Sequence, residues 1–360
     1  MVLEAETIFI VDLLAIFAVY VIVNLSLNLE FGYTGIPNFG KVLAVGAGAF
    51  VAASIPGRIF ASLAGIEGDY ISDNLLIVSQ INVWLVDNVG VGFAVFFLTL
   101  GIAAAVGGGL GLLTSYPAIR LRGDYLAITL LAFGESIRII GNNFTPLVGG
   151  TLGVQVPDPL SFLPNEIRFP IATLGMVLIA IAVFVYSEKM MRSPLGRLLR
   201  AVRDNEVAAE AIGKNTKQIR IKVIMVSAAL AAIGGALYAF YVGGTIAFAY
   251  DRASWTFWPF LMILIGGLAN NKGILVGTFI FVTIRKLIIF FKDSLEGFVP
   301  FDVVWLDFLL LGIILLVVLL HRPQGILVEK PTPTIPHKPN STMSENSWFQ
   351  KLSFKKSAPK

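Results

Sequence analysis

The chain has 360 residues, of which 56% are hydrophobic and 14% charged, with mean hydropathy +0.81; this excludes a soluble domain and implies an all-α integral membrane protein. With no Cys and two His, His321 and His337, the sequence excludes a disulfide framework, thiolate catalysis and a Cys-built metal site, and a histidine metal centre is not expected. The net charge of +4 is no nucleic-acid signature, because the cations fall where membrane topology places them.

The N-terminus carries Glu4 and Glu6 and no early Lys or Arg. It lacks the positive region of a cleaved signal peptide, and the first apolar span is expected to remain as an anchor. The apolar runs predict about nine spans, at roughly 8–30, 37–56, 91–116, 124–141, 169–187, 221–243, 257–269, 273–291 and 303–320. Residues 71–90 contain Asp73, Asn74, Gln80, Asn82 and Asp87 and read as an extracytoplasmic helix. The seventh run is too short to cross ~30 Å of hydrocarbon. It ends in Gly266-Gly267-Leu268-Ala269-Asn270 and reads as half of a broken helix or a re-entrant hairpin. Residues 1–330 form one transmembrane domain on this reading. The Pro-, Ser- and Lys-rich stretch 331–360 is expected to be a disordered tail on the same side as the basic loop. No secure internal repeat is found.

Four motifs bear on function. Gly35-Ile36-Pro37-Asn38-Phe39-Gly40-Lys41 has the glycine and lysine spacing of a phosphate-binding loop. Val42 stands where the magnesium-binding hydroxyl belongs, and the segment follows a helix rather than a strand. It reads as a turn at the membrane face, with Lys41 snorkelling to the surface. Gly107-Gly108-Gly109-Leu110-Gly111 lies inside a span and suits close helix packing. Glu135 falls roughly 17 Å into its helix, with Arg138 on the same face; the pair must avoid lipid and either holds helices together or lines a pathway. Asn142 and the loop with Gly149 and Gly150 sit at the outer mouth of that span. They suit either a solute contact or a plain flexible turn. Arg285 and Lys286 are expected to reach toward the outer surface.

The densest run of cations lies between two apolar spans in residues 188–222: Lys189, Arg192, Arg197, Arg200, Arg203, Lys214, Lys217, Arg220 and Lys222. Such a loop stays in the cytoplasm, which puts the acidic N-terminus outside and the C-terminus inside. Within it, Asn205 through Gly213 has the grammar of a short helix. Asp204 or Asn205 caps it, Glu206 sits in the positive first turn and Gly213 closes it. A transporter driven by a separate motor needs such a projecting knob, with small side chains at Ala208 and Ala209 to let a partner approach. The plain alternative is a positive-inside loop with a frayed helix.

Several ordered pieces together resemble the longer permease of branched-chain amino acid ABC importers. They are Asn28-Leu29-Glu30-Phe31-Gly32-Tyr33-Thr34-Gly35, Leu121-Arg122-Gly123-Asp124-Tyr125-Leu126-Ala127-Ile128, Phe133-Gly134-Glu135, Ser193-Pro194-Leu195-Gly196-Arg197, Ala201-Val202-Arg203-Asp204-Asn205-Glu206, Ala208-Ala209-Glu210-Ala211-Ile212-Gly213, Gly234-Gly235-Ala236-Leu237-Tyr238-Ala239 and Ile265-Gly266-Gly267-Leu268. The resemblance implies a helical permease in a cell (plasma or inner) membrane, with no enzyme activity and no cofactor of its own. It further implies a second permease subunit in a heterodimer, two cytoplasmic ATP-binding subunits, an extracytoplasmic solute-binding protein and a shell of membrane lipid. Arg203, Glu206, Ala208, Ala209, Glu210 and Gly213 would then belong to the ATPase-coupling loop. Tyr33, Asn38, Lys41, Glu135, Arg138, Asn142, Gly149, Gly150, Gly266, Gly267 and Asn270 would be candidates for the pathway or gate. Asn38-Phe39-Gly40-Lys41 and Ala269-Asn270-Asn271-Lys272 depart from the family pattern at two segment junctions. The neighbouring readings are a urea or short-chain amide permease, an ion-coupled secondary transporter and a passive channel.

Overall fold

The computed structural model describes residues 5–121, 123–292, 303–322 and 324–329. The expected tail at 331–360 lies outside them, as does Arg122. The chain is a polytopic helical bundle. The helices are α1 (Ala5–Thr34), α2 (Lys41–Ala64), α3 (Asn74–Asp87), α4 (Val89–Arg120), α5 (Asp124–Asn143), α6 (Thr145–Val148), α7 (Asn165–Arg192), α8 (Pro194–Asp204), α9 (Glu206–Ala211), α10 (Thr216–Val242), α11 (Trp258–Gly266), α12 (Asn271–Phe290) and α13 (Val303–His321). Six of these (α1, α2, α4, α7, α10 and α12) are long and apolar enough to cross a membrane by themselves. The remaining expected spans coincide with α5, α11 and α13. Two short strands, β1 (Val154–Gln155) and β2 (Gly244–Thr245), pair antiparallel at the end of the bundle away from α8 and α9, with Val154 opposite Thr245.

Helix α2 is the hub, with 83% of its most apolar stretch buried. Its small residues explain how. A Cβ on Gly48 would stand 2.7 Å from Ala232 Cα, and one on Gly235 of α10 would stand 3.0 Å from Val45 Cα. At both points helix backbones touch with no side chain between them, which gives van der Waals contact where lipid offers no hydrophobic drive. The glycine run of α4 works the same way. Gly107 and Gly111 face Ala228 and its neighbours on α10, as the sequence led one to expect.

Helix α3 buries Ile77, Val78, Ile81 and Leu85 at helical spacing against Phe60, Tyr70 and Val95. Its other side leaves Leu75, Leu76 and Val83 exposed. The Tyr70 hydroxyl donates to Ala53 O (3.0 Å) and Gln155 O (3.1 Å), and Asn74 Oδ1 accepts from Gln155 N (2.6 Å), tying α3 to the β1–β2 pair.

The seventh apolar run is indeed interrupted. A π-helical turn, Ala253–Phe257, leads into α11, and the two together span roughly 21 Å at 1.5 Å per residue. The chain then turns at Gly267 (φ 113°), where a β-carbon would run into the backbone of Gln324 and Leu327. Asn270 Oδ1 caps α12 by accepting from Lys272 N (3.1 Å) and Gly273 N (3.3 Å), the role its short amide side chain suits. The end of α11 leaves carbonyls without helical partners. Those of Ile265 and Gly266 are met by the N–H groups of Ile326 (2.9 Å) and Leu327 (3.0 Å), so the segment after α13 closes the interrupted helix.

Candidate functional site

The face that carries α8 and α9 is built by local capping. Ser193 Oγ accepts from Leu195 N (3.2 Å) with Pro194 in the first turn of α8. Asn205 Oδ1 accepts from Ala208 N (3.0 Å) to start α9. Gly213 adopts φ 81°, a conformation costly for a residue with a side chain, and the N–H of Lys214 reaches back to Ala209 O (3.1 Å). Glu206 pairs with Arg220 at 3.0 Å, and Glu210 accepts from Thr216 Oγ1 at 2.5 Å. Both carboxylates thus lash the short helix to the start of α10.

One expectation here is corrected. Ala209 is only 3% exposed: its methyl faces the chain's own interior, because the Gly213 turn folds α9 back against α10. The side chains α9 presents outward are Val207, Ala208, Glu210, Ala211 and, just beyond its end, Ile212. Val207 and Ile212, both more than two-thirds exposed, are the large apolar groups of this outward face.

The loop is wired into the bundle by Arg203, which donates to Gly32 O at the end of α1 (2.8 Å) and pairs with Glu329 (2.9 Å). Glu329 also holds Arg200 (3.0 Å), whose guanidinium lies 5.3 Å from the centre of the Tyr33 ring. Glu329 belongs to the same segment that closes α11, and Asn270 Nδ2 donates to Val328 O (2.9 Å) beside it. Asn28 adds a second tie. Its Oδ1 accepts from Ala269 N (3.0 Å) and its Nδ2 donates to Asn271 Oδ1 (3.0 Å), while Asn271 Nδ2 donates to Glu188 on α7 (3.1 Å). The loop helices, the end of α1 and the Gly266–Asn271 turn therefore form one connected polar network.

Lys41 overturns its sequence reading. It does not snorkel. It is 1% exposed, with Nζ 3.5 Å from Glu30 Oε2, itself 0% exposed. The Lys41 ammonium also donates to Ser227 Oγ (2.5 Å), whose hydroxyl in turn donates to Ser26 O (2.5 Å). Ser227 lies eleven residues into α10, roughly 17 Å by helix rise, so Lys41 enters the bundle well below the surface. Asn38 Oδ1 accepts from Gly40 N (2.9 Å) and shapes the approach. With Nζ committed to Glu30 and Ser227, this segment offers no phosphate cradle. Glu30 was missed as a partner, although a carboxylate and an amine flanking one turn between two apolar spans were visible in the sequence.

Glu135 does pair with Arg138, whose Nε lies 2.6 Å from Oε1. The structure adds Arg252, at the start of the π-helical turn, with Nε 3.0 Å from the other carboxylate oxygen. Arg138 also lies 5.4 Å from the centre of the exposed Phe248 ring. Asn142, one turn along α5, has a buried amide oxygen with no hydrogen-bond partner among the described residues. Gly149 (φ 72°) and Gly150 (φ 63°) form the tight turn behind it. Of the candidate pathway residues, Glu135 and Arg138 are partly exposed, whereas Tyr33, Asn38 and Lys41 are enclosed. Toward the end of the bundle away from α8 and α9, Lys286 pairs with Asp12, and Arg285 lies 3.7 Å from the centre of the Trp258 ring.

A bundle of long apolar helices, one of its spans interrupted, with an enclosed ion pair and an ordered polar helical loop at one end, is the architecture of a multi-pass membrane protein. The family model described as branched-chain amino acid transport system / permease component matches residues 9–319, and the chain belongs to that family. It is 39% identical over 324 residues to a probable branched-chain amino acid transport permease protein LivM of Methanocaldococcus jannaschii, covering 89% of this chain and 94% of that one. It is 27% identical over 342 residues to the high-affinity branched-chain amino acid transport system permease protein LivM of Escherichia coli, covering 88% and 69%. A shorter likeness, 27% over 164 residues, links 41% of the chain to half of a guanosine ABC transporter permease protein NupQ of Bacillus subtilis. No solved structure matches the chain.

Proposed function

We propose that this chain is the membrane-spanning permease subunit of an ATP-driven importer of branched-chain or related amino acids. It pairs with a second permease so that the solute path runs along their junction. Two ATP-binding subunits grip α8 and α9 from the cytoplasm, and an extracytoplasmic binding protein delivers the solute. The C-terminus is cytoplasmic on this reading, and 1–330 is the permease domain. The observation that carries it is the Arg203 junction. A short exposed helix, α9, is joined through Arg203 to Gly32 O on α1 and through Glu329 to the segment that closes α11. A push on α9 is thereby passed to α1 and α11 without a covalent change. Arg203, Glu206, Glu210 and Gly213 hold the loop in shape, while Val207, Ala208 and Ile212 meet the motor.

The test is uptake of labelled leucine into proteoliposomes containing both permeases, the ATP-binding pair and the binding protein. Accumulation is expected to need ATP and to survive an ionophore. It is expected to stop when the ATPase site is disabled. Uptake that persists without ATP and collapses with the ionophore would establish an ion-coupled transporter instead. A thermal-shift screen of the cognate binding protein against amino acids, urea, amides and nucleosides separates the solute classes.

A further inference from the structure

The Glu135 cluster holds two cations against one anion. Both guanidinium groups, of Arg138 and Arg252, engage the same carboxylate through opposite oxygens. The adjacent Asp251 accepts from Ser254 N and Oγ (both 2.9 Å) and forms no ion pair with either guanidinium among the described residues, so the cluster itself keeps one positive charge over. The cluster is not peripheral. Glu135 lies eleven residues from the start of α5 and eight from its end at Asn143, in the middle of the helix by either count. An uncompensated cation facing hydrocarbon there costs several kcal/mol, yet Arg252 is 42% and Arg138 30% exposed. The side of α5 on which they lie is therefore turned to water or protein rather than to lipid tails, and it offers a docking point for an anion.

Its surroundings fit one kind of anion. Phe248, against Arg138, is 67% exposed, and Ile139, next along α5, is 53% exposed. They place an apolar surface beside Arg138, the guanidinium that shares the Glu135 carboxylate with Arg252. The π-helical turn that begins after Arg252 is a geometry found disproportionately at functional sites, where it redirects side chains that a regular helix would align.

We infer that Arg252, poised by Glu135 and Arg138, is a recognition point in the translocation path for the carboxylate of a solute whose apolar side chain rests on Phe248 and Ile139. This deepens the proposed import of branched-chain amino acids and rests on it. Arg252 donates to the solute carboxylate in a charge-assisted hydrogen bond. Glu135 remains neutralised by Arg138 and accepts from the solute ammonium. Neutral solutes such as urea or an amide gain nothing from the arrangement.

The absence of Cys from the chain makes a direct test available. A single cysteine is introduced as Phe248→Cys and, separately, as Ile139→Cys, in the full complex in liposomes of neutral lipid. The rate of labelling by a small thiol reagent is measured with leucine, leucinamide or urea. Leucine is expected to slow labelling at both positions, and leucinamide and urea are not. Adding Arg252→Gln should abolish this protection by raising the half-protecting leucine concentration at least about tenfold, the scale of one lost charge-assisted hydrogen bond. Arg252→Lys should restore much of it. The melting temperature should stay near wild type in both, because Arg138 still neutralises Glu135. Equal protection by leucinamide, protection indifferent to Arg252→Gln, or no protection by leucine at either position would overturn the inference. Leucine protection without ATP-dependent leucine accumulation would count against the transport assignment and leave the carboxylate site standing.

Discussion

Replacing Lys41 with Met removes one half of an ion pair that no solvent reaches. In the wild-type chain the ammonium is held by Glu30 at 3.5 Å and by Ser227 at 2.5 Å, with the two charged side chains 1% and 0% exposed. Lys41 is also the first residue of α2, where the helix dipole disfavours a cation; Glu30 offsets that as well as the burial. Taking away one partner strands the other charge in a medium that cannot solvate it, at a cost of about 3–5 kcal/mol. For a chain of this size that corresponds to a melting temperature lower by on the order of 10 °C. Glu30→Gln should cost a similar amount. The double variant Glu30→Gln/Lys41→Met removes both charges and should recover most of the loss, because a neutral pair of similar volume avoids the desolvation penalty. The assay is a thermal melt of the detergent-solubilised chain for all four members of the cycle. Single variants as stable as wild type, or a double variant as unstable as the sum of the singles, would show that the two charges do not depend on each other.

Three further outcomes follow from the geometry. Gly48→Ala forces a methyl to within 2.7 Å of Ala232 Cα and should lower stability by about 1–3 kcal/mol; Gly101→Ala, which meets nothing within 4 Å, should be neutral or slightly stabilising in the same melt. Glu329→Gln releases Arg200 and Arg203 and should speed amide exchange in Gln324–Glu329 and α8 several-fold, with the core of α2 unaffected. A cysteine introduced as Ser72→Cys should react with an impermeant thiol reagent applied to intact cells, and one introduced as Ser193→Cys should not; the reverse pattern would invert the proposed orientation.

How far the sequence reached depends on the range of the interaction. Apolar runs located the spans because burial in lipid is decided within about twenty residues. The helices extend past those runs wherever a polar first turn has a cap. Thus α10 begins at Thr216 rather than near residue 221, with Asn215 Oδ1 accepting from Gln218 N at 3.1 Å. The Asn205 cap and the Gly213 turn were legible for the same local reason. What escaped was pairing across the chain. Arg252 and Glu135 are far apart in sequence and meet only through the packing of α5 against the turns after α10. The role of Glu329 depends on the backbone of Ile326 and Leu327 reaching α11, which no periodicity announces. Ala209 was misjudged because small size reads equally as an outward docking face and as an inward close contact. Only the fold of the turn at Gly213 decides between them.

Whether α9 transmits the work of an ATPase is measured most directly through its outward apolar side chains. The complex is purified with Val207→Asp, with Ile212→Asp and with Lys217→Ala as a neighbouring control. Stimulation of ATP hydrolysis by loaded binding protein is then compared with wild type. Burying a carboxylate in an apolar contact costs several kcal/mol, so both aspartate variants are predicted to lose stimulation more than about tenfold while Lys217→Ala retains it. Full stimulation in both aspartate variants would mean that α9 does not meet the motor and that the basic loop serves topology alone.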